Sequence, residues 1–234
     1  MEKSTEEYEI AFNGLREHPF FKNIDENILN TLLKAMTLKS WEKGQEFYSI
    51  NDTLRRFHII LKGRVKVYQI DPTTTREFTL YILAENDVFD VITLLDGHKH
   101  TKLFKTLDTV TVLNVPMEMA RKWIQIHPEI NKTLMPYLAS RMRSLETNLT
   151  NNVLSDIPTR LAKLILQNID KSSNELQLIH NLTNDEIASL IGSTRAVVNR
   201  HLQRLKKEGI IEMQRRHTVV KDIEALIKKI ENRF

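Results

Sequence analysis

The sequence predicts an α+β chain: an antiparallel β-roll in the N-terminal half, a long helix after it, and a winged pair of short helices at the C-terminus. Three observations carry this expectation. Residues 41–115 hold many short apolar or alternating runs divided by turn residues. Residues 128–154 hold an apolar repeat at four-three spacing. Residues 182–221 hold a capping box, a turn glycine and two β-branched runs in sequence. At 234 residues and 41% apolar content, the chain can build more than one core.

The β-roll is predicted from runs at 45–50, 57–61, 64–70, 77–83, 103–105 and 110–115. They are broken at Lys43-Gly44, Asn51-Asp52, Lys62-Gly63, Asp71-Pro72, Glu85-Asn86-Asp87 and Asp96-Gly97. Short strands at such spacing form antiparallel sandwiches or barrels. Helical patterns at 24–36 and 117–125 flank them, so the first domain is expected over 1–127. His58 reads as a strand residue with a satisfied hydrogen bond. Lys99, Lys102 and Lys105 alternate as one solvated strand face would.

The long helix is expected over 128–154. Pro128 suits a first helical turn, whereas Pro136 removes a backbone donor and should kink or restart the helix. Beyond it Leu138, Met142, Leu145, Leu149 and Asn152 or Val153 form an a/d seam. Such a seam pairs with another helix, most simply its copy in a second subunit, or packs on the chain's own β domain.

The third domain, 155–234, carries the most informative segment. Thr183 and Glu186 form a Thr-x-x-Glu capping box for a first helix, Gly192 ends it in a left-handed conformation, and Ser193 or Thr194 caps the next. In that second helix Val198, Leu202 and Leu205 share a buried face. Ala196, Arg200, Gln203 and Lys207 point the opposite way. Arg195 lies in the first turn. The runs 210–213 and 218–221 then make a two-stranded wing with Arg215 and Arg216 at its tip. This is a winged helix-turn-helix, whose second helix enters the DNA major groove. Thr183, Ser193, Thr194, Arg195, Ala196, Asn199, Arg200, Gln203, Arg204, Lys207, Arg215 and Arg216 are the expected contacts to double-stranded DNA.

Charge agrees. Residues 1–155 hold 20 Lys/Arg against 20 Asp/Glu, whereas 156–234 hold 14 against 10, so the whole excess of +4 sits beside the basic helix. The absence of cysteine excludes disulfides, thiolate-bound iron–sulfur clusters and thiol redox sensing. No apolar run is long enough to span a membrane and the N-terminus lacks signal-peptide features. A cytoplasmic protein without membrane attachment is expected.

The order of parts resembles the cyclic-AMP receptor protein/FNR (Crp/Fnr) superfamily of transcription regulators. The likeness rests on Lys43-Gly44-Gln-Glu-Phe-Tyr, on Ile59-Ile-Leu-Lys-Gly63-Arg-Val-Lys-Val-Tyr68, and on the helix-turn-helix with its wing. The resemblance implies a cyclic-nucleotide-binding-like jelly roll, a homodimer on a near-palindromic promoter site, and contact with RNA polymerase. It carries the two base-contacting arginines onto Arg195 and Arg200, and the acidic residue between them onto Ala196. A methyl group cannot accept the cytosine hydrogen bond, so a shifted or relaxed half-site is expected.

The sensor departs further. The family's Phe-Gly-Glu and Arg-Ser/Thr elements fall on Phe89, Asp90, Val91, His100 and Thr101, the candidate effector pocket. Asp90 stands for the glycine, Val91 for the glutamate and His100 for the arginine. Cyclic AMP is therefore not expected as cofactor, while haem or another small ligand stays open. His98-x-His100 lacks the other ligands of a β-barrel metal site and reads as exposed turn residues. The sequence offers no catalytic set and no metal ligands, and a non-enzymatic regulator is expected. The competing reading is a β-barrel metalloprotein or small-molecule-binding enzyme with an appended DNA-binding domain.

Overall fold

The computed structural model describes residues 5–47, 55–99, 101–170, 172–214 and 217–231. They form two compact units: Met1–Gln69 with Tyr81–Met142, and Ile70–Leu80 with Arg143–Phe234.

In the first unit, α1 (Thr5–Glu17) and α2 (Glu26–Ala35) precede the strands. The Asp25 carboxylate caps α2 by accepting from the Asn27 N–H at 2.9 Å. One sheet has the order β1 (Thr37–Trp41), β8 (Val110–Pro116), β3 (Arg56–Lys62), β6 (Val88–Phe89). The other runs β2 (Glu46–Phe47), β7 (Leu103–Thr106), β4 (Val65–Ile70), β5 (Glu77–Leu83). The registered pairs are antiparallel, as expected of a roll. Gly63 turns β3 into β4 at φ 89°, where a Cβ would sit 2.5 Å from the Thr109 carbonyl oxygen. Only glycine fits there. The helical elements α1 and α3 (Val91–Asp96) and strands β1 and β6 add to the expected pattern. The expected strand 45–50 is described only for Glu46–Phe47, since 48–54 lie outside the described residues.

The first core gathers α1 and α2 (Leu15, Leu29, Leu33), strand residues (Phe57, Ile59, Leu113, Val115) and α4 (Met117–Ile126). A 3-10 turn at Pro128–Ile130 leads into α5 (Asn131–Leu154). The helix runs through Pro136 without the restart that was one of the two expected outcomes. The irregular turn falls earlier, at Pro128–Ile130, and Leu134, Tyr137 and Leu138 on either side of Pro136 pack into the first core. That packing offsets one lost backbone hydrogen bond.

The second unit holds α6 (Ile157–Gln167), α7 (Asn184–Ile191), α8 (Arg195–Lys207), the antiparallel pair β9 (Ile211–Gln214) and β10 (His217–Val220), and α9 (Ile223–Glu231). The Asp156 carboxylate starts α6 by accepting from the Thr159 N–H at 3.1 Å, with Pro158 in the first turn. Leu161, Ile165, Ile187, Val198, Leu202, Leu205, Val220 and Leu226 close its core. Among the described residues, no helix is long and apolar enough to cross a membrane.

Candidate nucleic-acid interface and effector pocket

The capping box forms as the sequence requires. Thr183 Oγ1 accepts from the Glu186 N–H at 3.2 Å, and Glu186 Oε2 accepts from the Thr183 N–H at 2.7 Å. Two donors at the start of α7 are thereby satisfied. Gly192 then turns the chain at φ 66° and returns its N–H to the Ala188 carbonyl. The expected cap on α8 differs. Thr194 occupies the N-cap position with extended backbone, but its side chain makes no capping hydrogen bond. Ser193 is held instead through its backbone, its N–H bonding the Ala188 carbonyl at 2.8 Å and its carbonyl accepting from Arg76.

Val198, Leu202 and Leu205 are buried, which turns Arg195, Ala196, Asn199, Arg200, Gln203, Arg204 and Lys207 outward. The helix therefore presents the face that its periodicity predicts. Several of these side chains are held by neighbours. Arg195 lies 3.5 Å from the Asp185 carboxylate, and Asn184 donates to Asn199 Oδ1 at 3.2 Å. Arg204 bonds Glu208 at 2.9 Å, and Lys229 holds the same carboxylate at 2.8 Å. These two cations keep the Glu208 carboxyl below its ordinary pKa. The wing is present with the expected strands. Arg215 and Arg216 lie outside the described residues.

The seam of α5 is split. Met142, Leu149 and Val153 are 63%, 66% and 69% exposed, and Leu145 is exposed as well. Leu138 is half-buried against the first core. Asn152 is also half-buried, and its Oδ1 would lie 4.0 Å from a Cβ placed on Gly192. Val153 thus continues the exposed stripe, and Asn152 turns toward the helix-turn-helix.

Inside the roll, the candidate pocket residues are differently placed. Phe89 is fully buried, with Phe104 at 4.5 Å, His58 at 5.6 Å and Trp41 at 5.7 Å between ring centroids. Asp90 starts α3 in the left-handed region at φ 61°, a conformation that aspartate tolerates better than most side chains. Its carboxylate is buried 3.8 Å from Lys102 Nζ. Lys102 is therefore not part of a solvated strand face, and Lys105 bonds Glu46 at 2.6 Å. Lys102 and Lys105 are drawn inward by acidic partners on other elements, whereas Lys99 is exposed as expected. Val91 packs on the first core, and Thr101 accepts from Gln69 Nε2 at 3.1 Å on the surface. His100 lies outside the described residues, and His98 is exposed as expected of a turn.

Two features were missed in the sequence. Tyr81 is half-buried near Asp90 and Arg141, and its partial burial with the Asp90 charge pushes its hydroxyl up to about 12. Arg141 forms an ion pair with Asp87. His58 sits in β3 as expected, but its Nδ1 has no hydrogen-bond partner among the described residues. Burial lowers its pKa to about 4.

Comparison with known proteins follows the same division. Residues 38–127 match the cyclic nucleotide-binding domain model, and residues 159–229 match the Crp-like helix-turn-helix domain model. The "CRP-like cAMP-activated global transcriptional regulator" of Mycobacterium tuberculosis is 28% identical over 213 residues, covering 89% of this chain and 95% of that protein. The "Global nitrogen regulator" of Synechococcus elongatus is 26% identical over 213 residues, covering 84% and 94%. The solved structure of FixK2 from Bradyrhizobium japonicum shares the fold with a TM-score of 0.71 at 19% identity, covering 82% of this chain and 96% of that one. With a β-roll, an intervening helix and a Crp-like winged helix-turn-helix in this order, the chain belongs to the Crp/Fnr superfamily of DNA-binding transcription regulators.

Proposed function

We propose that this regulator acts as a homodimer on a near-palindromic promoter site, without cyclic AMP, and does not catalyse a reaction. The observation that carries the reading is the outward face of α8, where Arg195, Ala196, Asn199 and Arg200 stand exposed above a fully buried Val198. Arg195 and Arg200 would each bond guanine O6 and N7, and Ala196 would meet a thymine methyl where the family's acidic residue meets cytosine. Thr183, Ser193, Thr194, Gln203, Lys207, Arg215 and Arg216 would fix register on phosphates. Arg204, paired with Glu208, would make the weaker contribution.

Dimerisation is supported by the apolar stripe Met142, Leu145, Leu149 and Val153 on α5, which would bury most simply against its own copy. A two-fold pair of recognition helices then reads half-sites about 34 Å apart, one turn of DNA. The cytoplasm and RNA polymerase are the setting and partner that this role implies.

Independence from cyclic AMP is supported by three placements. Asp90 already has Lys102 as its counter-ion, Val91 is half-buried against the hydrophobic core, and rings of Trp41, His58, Phe89 and Phe104 pack on one another inside the roll. The family's ribose-binding glutamate and phosphate-binding arginine have no equivalents at these positions. Among the relatives, names differ in signal, from cyclic AMP to nitrogen, which fits a sensor that varies around a constant DNA reader.

Selection of binding sites from random DNA, with and without added cyclic AMP, tests this reading. A two-fold site that differs from the family's at the base pair facing Ala196, recovered equally in both conditions, is expected. Recovery only with the nucleotide present, or of the unaltered family site, would contradict it.

A further inference from the structure

The segment Ile70–Leu80 belongs to the compact unit of the helix-turn-helix. Thr79 Oγ1 and Ser189 Oγ share a hydrogen bond of 2.7 Å, and both residues are buried. Phe78 lies against the turn glycine, its ring 3.7 Å from where a Cβ on Gly192 would sit. This anchor leaves Arg76 on the surface, where its Nη2 donates to the Ser193 carbonyl at 3.0 Å. Ser193 immediately precedes Thr194 and Arg195, so the guanidinium stands beside the first turn of α8.

Arg76 differs from two of the cations already on that helix. Arg195 and Arg204 each have a carboxylate within ion-pair distance, whereas Arg76 has none among the described residues. A guanidinium carries five N–H donors in a planar fork, and the Ser193 carbonyl takes up only one nitrogen. The remaining donors suit a phosphate oxygen, the commonest target of arginine on DNA.

We propose that Arg76 is a DNA-backbone contact supplied from outside the helix-turn-helix: the docked segment 70–80 holds its guanidinium against a phosphate that flanks the bases read by α8. The inference rests on α8 being the DNA-reading helix. The contact carries charge but no base information, and a dimer makes it twice.

Such a contact has a signature that a structural clip lacks. Each phosphate neutralised contributes about 0.9 to the slope of log affinity against log salt. Arg76→Gln keeps an N–H donor for the Ser193 carbonyl and removes the charge, while Arg76→Lys keeps the charge. Fluorescence anisotropy on a duplex selected by the parent protein, over a series of salt concentrations, separates the two roles. Arg76→Gln should lower the slope by about 2 for the dimer and weaken selected and random duplexes by the same factor, while Arg76→Lys keeps the parent slope. An unchanged slope for Arg76→Gln, with or without a loss of affinity, overturns the proposal and leaves the DNA-reading role of α8 intact. Failure of the parent protein to bind any duplex overturns both.

Discussion

Two buried histidines should make the first unit sensitive to mild acid. His18 is completely buried, and its Nδ1 accepts from the Phe20 N–H at 3.2 Å, so the ring must be neutral with its proton on Nε2. That Nε2 has no partner among the described residues. Rings of Phe20 and Phe21 lie 5.0 and 5.5 Å away. Adding a proton to Nδ1 would break that hydrogen bond and place a charge among aromatic rings, a cost that outweighs the pull of the Asn86 backbone toward the charged form. Burial therefore lowers the pKa of His18 to about 4, and that of His58 to the same value.

Because both folded values lie below the unfolded value of 6.5, the unfolded chain takes up protons first as pH falls. The stability from keeping these rings neutral is complete above pH 6.5, declines as pH drops through that value, and levels off below about 4. Between pH 8 and pH 5 the loss is about 2 kcal/mol for each histidine. The depressed carboxyls of Asp71, Asp170 and Glu208 lose their contribution only at lower pH, below their own unfolded values. Both tryptophans, Trp41 and Trp123, lie in the first unit, so their fluorescence reports its unfolding. Urea titrations at pH 8 and pH 5 should show the parent protein losing roughly 4 kcal/mol. His18→Gln, which keeps an acceptor for Phe20 but cannot titrate in this range, should lose about half that dependence, and the double variant with His58→Gln nearly all of it. Equal stability at the two pH values in the parent protein, or an undiminished dependence in the double variant, would refute the reasoning.

Two other outcomes follow from the second unit and the long helix. Thr183→Ala removes the acceptor for the Glu186 N–H and should cost about 1 kcal/mol, read by circular dichroism on chemical unfolding, whereas Glu186→Gln should retain most of the cap. Leu149→Glu places a charge on the exposed stripe of α5, and sedimentation should show monomers where the parent protein is dimeric; Asn152→Glu, off the stripe, should leave the dimer intact.

The helix-turn-helix was legible because its signals are local. Thr183 and Glu186 lie three residues apart, Gly192 acts on its own backbone, and Val198, Leu202 and Leu205 repeat along one helix. The same holds for the strands, whose turn residues mark their ends. What escaped depends on partners distant in the chain. Nothing near Thr79 announces Ser189, and nothing near Arg76 announces the Ser193 carbonyl, yet these contacts draw segment 70–80 into the C-terminal unit. Lys102 alternates like a solvated residue until Asp90 takes it inward. Asp156 and Pro158 do mark the start of α6 by local chemistry, a capping carboxylate followed by proline in the first turn. Thr194 shows the reverse. Its type and position suit a cap, but the turn through Gly192 leaves the side chain without a capping hydrogen bond. Asp90, which stands where the family has glycine, finds both a counter-ion in Lys102 and a left-handed backbone that aspartate accommodates.

Reading of base sequence by α8 without a cyclic nucleotide is the central proposal for this regulator. Binding of the purified, nucleotide-free protein to DNA from its own upstream region, measured by gel shift beside the Arg195→Ala, Arg200→Ala double variant, tests this most directly. A retarded complex for the parent protein, resistant to competitor DNA and lost in the double variant, is the predicted result. No retarded complex until cyclic AMP is added, or the same complex from the double variant, would contradict it.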